Sequence, residues 1–229
     1  MAKMSNAGQR ISDQSRTYTS PLRAAQALRT RRAILEAAAR CFADAGYAGT
    51  TLADIATTAG VSVETIQAHG PKPALLLAAL EKAFALSEGQ DSILDRPGSL
   101  EMAAQLPDAM DFVRASCTFL AGAAERSAGL WLVFYHAATI DPSIREAYDA
   151  FSERVRVDTL RLVNMIGERG PLRQDRTRQR MADELELLYR PTGYEQLCEK
   201  SGWTVEQYRD YLFRNTCWIL FPSSRRRTS

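Results

Sequence analysis

Apolar side chains recur along this chain at three- and four-residue spacing, with few strand signals, which is the period of amphipathic helices. Ile34, Ala38, Cys41 and Phe42 form one such stripe, with Arg31, Arg32, Glu36 and Arg40 mostly on the other side. Gly46 is expected to stop that helix, because glycine takes the left-handed conformation without steric cost. Thr50 or Thr51 caps the next one, and Thr51 with Asp54 has the spacing of a capping box. Leu52, Ile55, Ala56 and Ala59 give this second helix a small apolar face. Gly60 then turns the chain, Val61 plugs the core beneath the turn, and Ser62 caps a third helix. Ile66 points inward there, which leaves Val63, Glu64, Gln67 and Ala68 facing outward. A helix so short and polar adds little stability of its own. Two short helices around a glycine turn form a helix-turn-helix, whose second helix is suited to the major groove of DNA.

The remainder continues as helices. Ala74–Leu86 is a fourth helix connecting a head to a body, and Ser87–Ser99 reads as a loop from its Gly, Pro, Ser and Asp content. A long helix is expected from Leu100 to Glu125, broken near Pro107, with Met110, Val113, Cys117 and Leu120 along one side. A separate apolar stretch, Leu130–Ile140, stops at Asp141-Pro142. Ser143–Ile166 is another long helix, and the Arg-rich segment Gly167–Arg180 reads as a solvated loop. Met181–Tyr189 and Thr204–Leu220 complete the series, the last with a capping box of Thr204 and Gln207. The expected fold is all-α, with an N-terminal three-helix helix-turn-helix DNA-binding domain followed by a larger helical domain. The corresponding limits are a disordered or partly helical arm over 1–27, the DNA-binding domain over 28–74, the body over 75–221 and a flexible basic tail over 222–229.

Charge changes the picture only through its distribution. The net value of +2 is small, but residues 1–72 carry 9 Lys and Arg against 5 Asp and Glu, whereas residues 73–229 carry 20 against 22. The basic end coincides with the helix-turn-helix. Arg10, Arg16 and Arg23 make the arm either a DNA contact or a solvated tail. No stretch reaches the length of a membrane span, and the polar N-terminus lacks the apolar core of a secretory signal, so a cytoplasmic location is expected. Cys41, Cys117, Cys198 and Cys217 are scattered, without disulfide or zinc spacing, and neither a metal nor a cofactor is expected.

In its order of elements the chain resembles the tetracycline-repressor (TetR) family of bacterial regulators. The resemblance is carried by Ile34-Leu35, Ala37-Ala38, Phe42, Gly46-Tyr47, Thr50-Thr51, Ile55-Ala56, Ala59-Gly60-Val61-Ser62, Lys72 and Leu75-Leu76, and covers roughly residues 28 to 80. A second echo lies in Pro191, Tyr194, Leu197, Gly202-Trp203-Thr204 and Tyr208. Two departures stand out: Gln67 takes the place of a tyrosine usual in the recognition helix, and the turn His69-Gly70-Pro71 is one residue short. Glutamine can pair bidentately with adenine. Pro71 biases Gly70 away from helix, so the recognition helix is expected to stop at Ala68 or His69.

Read together, residues and resemblance nominate Thr50, Thr51, Ser62, Val63, Thr65, Gln67, His69 and Lys72 for contact with an operator duplex. Glu64 is not assigned to a base, since a carboxylate near DNA costs affinity unless it accepts from a cytosine amino group. The densest aromatic cluster, Trp131, Phe134, Tyr135 and His136 with Phe112, Tyr148, Phe151 and Met165, is nominated to bind a small hydrophobic or aromatic effector, the alternative being plain core. The resemblance further implies a homodimer, in which Met181, Leu185 and Leu188 on one helix and Tyr208 and Leu212 on another would meet their copies, unless they close the monomer's own core. The implied activity is a ligand-responsive repressor that releases a palindromic operator when a small molecule binds. Two other classes are weighed. One is a family member with lost or weak DNA binding that acts through protein partners. The other is an all-α enzyme, for which only His69 and His136 are available as histidines and no Gly-rich phosphate loop or nucleophile elbow is present.

Overall fold

The computed structural model describes residues 21–89, 91–96 and 100–222, and no strand occurs among them. Arg10 and Arg16 of the arm and nearly all of the basic tail lie outside the described residues. Helix α1 (Pro21–Gly49) runs unbroken through residue 28, so arm and head are not divided there. Gly46 sits inside its last turns at φ 67° and kinks the helix at the position expected to end it. Helices α2 (Leu52–Ala59) and α3 (Val63–Ala68) follow, and α4 (Lys72–Ala85) leads out of the head. The start of α4 precedes the expected one because Pro71 is extended at the N-cap and Pro73 needs no hydrogen bond in the first turn.

The body is built from α5 (Glu101–Ala104), α6 (Ala109–Ala138), α7 (Pro142–Arg169), α8 (Arg178–Leu188), α9 (Pro191–Tyr194) and α10 (Val205–Leu220). The break at Pro107 is present, and Asp108 caps α6 by accepting from the amides of Met110 and Asp111 at 2.8 and 3.0 Å. The expected division between Glu125 and Leu130 is not: α6 is one helix. A lone glycine there costs only about 1 kcal/mol against alanine, and the buried Ser127 satisfies its hydroxyl by donating to the Ala123 carbonyl at 2.7 Å. The Arg-rich loop is shorter than expected, because Thr177 caps α8 through the Arg180 amide at 3.2 Å.

Two apolar cores result. One joins the head residues Ile34, Phe42, Ile55, Ile66 and Leu76 to Leu130, Phe134, Ile144 and Phe151 of α6 and α7. The other fills the far end of the body around Val113, Cys117, Val163 and Ile166. Met181, Leu185, Tyr208 and Leu212 belong to this second core and are at most 1% exposed, with Leu188 half-buried against it. Met181, Leu185, Tyr208 and Leu212 therefore close the monomer's own core, the alternative open for them from the sequence, because an apolar helix stripe packs first against its own chain, while Leu188 keeps part of its surface free. Helices α8 and α10 leave Leu187 72% and Trp218 61% exposed. Among the described residues no helix is long and apolar enough to cross a membrane.

Candidate nucleic-acid interface and ligand cavity

The helix-turn-helix is fixed by local hydrogen bonds. Thr51 Oγ1 accepts from the Asp54 amide at 3.1 Å, and the Asp54 carboxylate accepts from the Thr51 amide at 2.8 Å and its hydroxyl at 2.7 Å. Asp54 thus completes the capping box in the role usual for Glu or Gln. Those bonds, the hydroxyl's first, hold the Asp54 carboxyl below its ordinary range. Gly60 adopts φ 69° and ψ 34° at the turn, where any side chain would be strained. Ser62 Oγ accepts from the Thr65 amide at 3.2 Å to start α3.

Helix α3 is anchored by Ile66, which is fully buried, while Glu64, Gln67 and Ala68 face solvent and Val63 and Thr65 are half-buried at the edge. The helix ends at Ala68 with His69 as its C-cap. Glu64 keeps its charge: its own backbone amide, then the Ser62 hydroxyl, pull its carboxyl below the usual range. Lys72 opens α4 with its ammonium over the Tyr47 ring. Thr51, Ser62 and Gln67 are exposed and Lys72 is half-buried. Thr50 is only 1% exposed, and its hydroxyl reaches the carbonyls of Cys41 and Gly46 at 2.9 and 2.8 Å. Its nomination for DNA contact is withdrawn, because the Gly46 kink turns that side chain inward to close the end of α1.

Behind the head, a cavity of about 100 Å³ lies among α4, α6, α7 and the ends of α8 and α9. Trp131, Tyr148 and Phe151 from the nominated cluster stand on its wall, with ring centroids 5.7 Å apart for both tryptophan pairs. The others do not. Phe112 and Phe134 are fully buried core, Met165 packs against the body core, and Tyr135 and His136 are exposed at the end of α6. The rest of the wall is aliphatic and aromatic, including Leu80 and Phe84 of α4, Ile93 and Leu94, and Phe119 of α6. No sequence stripe announced these, since five separate segments converge there. Its polar groups are largely occupied. Asp158 accepts from the Ser92 hydroxyl at 2.6 Å and the Ile93 amide at 2.8 Å, and Glu186 meets Arg190 at 3.3 Å. An uncharged, mostly apolar guest fits such a lining. Among the described residues no group of three or more His, Cys, Asp or Glu could hold a metal ion.

Residues 34–79 match the family model of bacterial regulatory proteins of the tetR family. The head of this chain is a TetR-family domain. The body agrees with it in fold. A protein of Mesorhizobium loti described as a TetR-family transcriptional regulator superposes with a TM-score of 0.63 at 19% identity, over 86% of this chain and 99% of the other. A transcriptional regulator of Saccharomonospora viridis in complex with choline gives 0.59 at 26% identity, over 83% and 96%. AibR, in complex with isovaleryl coenzyme A and operator DNA, gives 0.57 at 21% identity, over 80% and 96%. No curated protein sequence matches the chain significantly. The fold shared with these regulators spans head and body, and the cavity lies in the body behind a helix that starts in the head.

Proposed function

We propose that the protein is a cytoplasmic, homodimeric repressor that holds a palindromic operator through α3 and releases it when a small apolar molecule enters the cavity. The observation that carries this reading is α4. It bears Lys72 beside the recognition helix at one end and Leu80 and Phe84 on the cavity wall towards the other. A guest that moves α4 necessarily moves the head. Its binding would favour a population whose two heads no longer match the operator spacing. AibR, with a coenzyme A thioester and operator DNA, and the choline-bound regulator provide the same pairing of ligand and regulator.

Six residues of α3 read only a few base pairs, so selectivity requires two heads about one DNA turn, roughly 34–36 Å, apart. The outward faces of α8 and α10, with Leu187 and Trp218, are the surface proposed for the second subunit. Thr51 and Ser62 are assigned to phosphates, Thr65 and Gln67 to base edges, Val63 to apolar groove contact, and His69 and Lys72 to the backbone flank.

The test is titration of a fluorescent duplex from the region upstream of the coding sequence, with competitor DNA and at rising salt. Saturable, selective binding that weakens with salt and needs two half-sites is the expected result. Sequence-blind binding here, together with no enriched fragment in a genomic selection, would overturn the reading.

A further inference from the structure

Arg31, on the first helix, reaches the end of the recognition helix without facing the groove. Its Nη1 donates to the His69 carbonyl at 2.9 Å, and His69 is the C-cap of α3. Carbonyls at a helix end lack intrahelical donors, and a helix of six residues cannot fix its own end. The other edge of the same guanidinium holds Glu88: Nε and Nη2 donate to Glu88 Oε2 at 2.9 and 2.7 Å. Only a rigid planar fork serves both acceptors at once.

Glu88 is itself tied into the body. The neighbouring Gly89 amide donates to Glu81 at 3.3 Å. Glu81 is buried on α4, in contact with Arg154 of α7 and 4.0 Å from Arg96. Leu80, Leu94 and Val155, which lie close in sequence to these charged groups, form part of the cavity wall. Polar contacts, joined through the Glu88–Gly89 peptide, therefore lead from the end of α3 to buried Glu81 on α4 and on to Arg154 on α7, two helices that also carry cavity-wall residues.

We propose that Arg31 is a positioning residue for DNA recognition, and that Glu88 makes the placement of α3 depend on the buried Glu81 of α4 and its partner Arg154 of α7. This rests on the DNA-binding reading above. Glu81 is the buried member of this run, and removing Arg154 leaves its carboxylate short of a partner, whereas Arg31 and Glu88 meet partly exposed; a disturbance at Glu81 is therefore passed on through Gly89 to Glu88 rather than absorbed.

Hydrogen exchange on the DNA-free protein tests the placement, and operator titration tests its use. Glu88→Gln and Arg31→Lys should speed amide exchange in α3 and the first turn of α4, with the thermal midpoint nearly unchanged. Both should lower operator affinity about three- to thirtyfold. The salt slope should stay that of the parent, because no phosphate contact is lost. Arg154→Met, remote from α3, should speed exchange there in the same sense. Unchanged α3 exchange in Glu88→Gln overturns the proposal, and unchanged exchange in Arg154→Met overturns its dependence on the Glu81 cluster. Parent-like affinity in Arg31→Lys, with a slope reduced by about one in Arg31→Gln, would make Arg31 a phosphate contact instead. A parent protein that selects no duplex would sink the DNA reading, while the exchange data would still decide whether Arg31 holds α3.

Discussion

The ammonium of Lys72 lies 4.2 Å from the centre of the Tyr47 ring. That ring is itself fixed, because the Tyr47 hydroxyl donates to Asp141, the cap of α7, at 3.3 Å. A cation at a helix N-terminus is opposed by the helix dipole, and the negative face of the tyrosine offsets that opposition. The same arrangement holds a positive charge beside the recognition helix. Lys72→Ala should therefore weaken operator binding and reduce the salt slope by about one, whereas Thr65→Ala should weaken binding with the slope retained. Neither should alter folding or assembly. Filter binding across a salt series separates them, and unchanged affinity in both variants would refute the assignment of the groove-facing helix.

Tyr47 also sets an alkaline limit. Burial first, then the nearby Asp141 charge, push its phenol up to about 12 from an ordinary 10.0. The folded state thus keeps a proton that the unfolded chain loses. Its contribution to stability is complete below pH 10 and disappears as the pH rises towards about 12. Urea melts of the parent protein should weaken over that interval, and Tyr47→Phe should weaken less. Parallel pH curves would show that the phenol is not perturbed.

Thr50→Val removes a buried hydroxyl and leaves the carbonyls of Cys41 and Gly46 without that donor. Unsatisfied buried groups cost about 1–3 kcal/mol each way they are created. The expected loss of stability in urea is therefore of that order, with the DNA affinity of the folded fraction unchanged. A fall in affinity without a fall in stability would return Thr50 to the DNA surface.

The cavity can be read through Trp131 once Trp203 and Trp218 are changed to Phe. Naphthalene, an uncharged flat probe, should shift or quench the Trp131 emission saturably, and Val155→Phe, which fills the space, should abolish the response. If the filled variant responds like its parent, the probe binds elsewhere.

Assembly should be lost by a different route from folding. Leu187→Glu combined with Trp218→Glu places charge on the exposed faces of α8 and α10 and should yield a folded monomer in sedimentation. Leu185→Ala opens the body core and should cost about 2–5 kcal/mol of stability. A dimer that survives the double substitution would locate the interface on another face.

What the sequence made legible was local. Thr51 with Asp54, Gly60, Ser62 and the stop at His69 act within a few residues of where they stand, so spacing alone discloses them. The apolar period of α8 and α10 disclosed which side is buried but not against what, and Met181 and Leu185 turned out to face their own chain. The cavity was the least visible, because Leu80, Leu94, Trp131 and Val155 meet only through tertiary packing. Thr50 and Thr51, adjacent and chemically alike, were separated only by the backbone turn at Gly46.

The border suggested by the motif is not the border within which the head is stable. Ile34 and Phe42 share their core with Leu130, Phe134 and Ile144, so the C-terminal part of α6 and the start of α7 serve as the head's floor. A fragment cut after α4 would expose that floor's partners to water and would not keep its shape. The head of this protein is accordingly not a portable part, and a chimera that grafts it onto another body would have to bring residues 130–151 along.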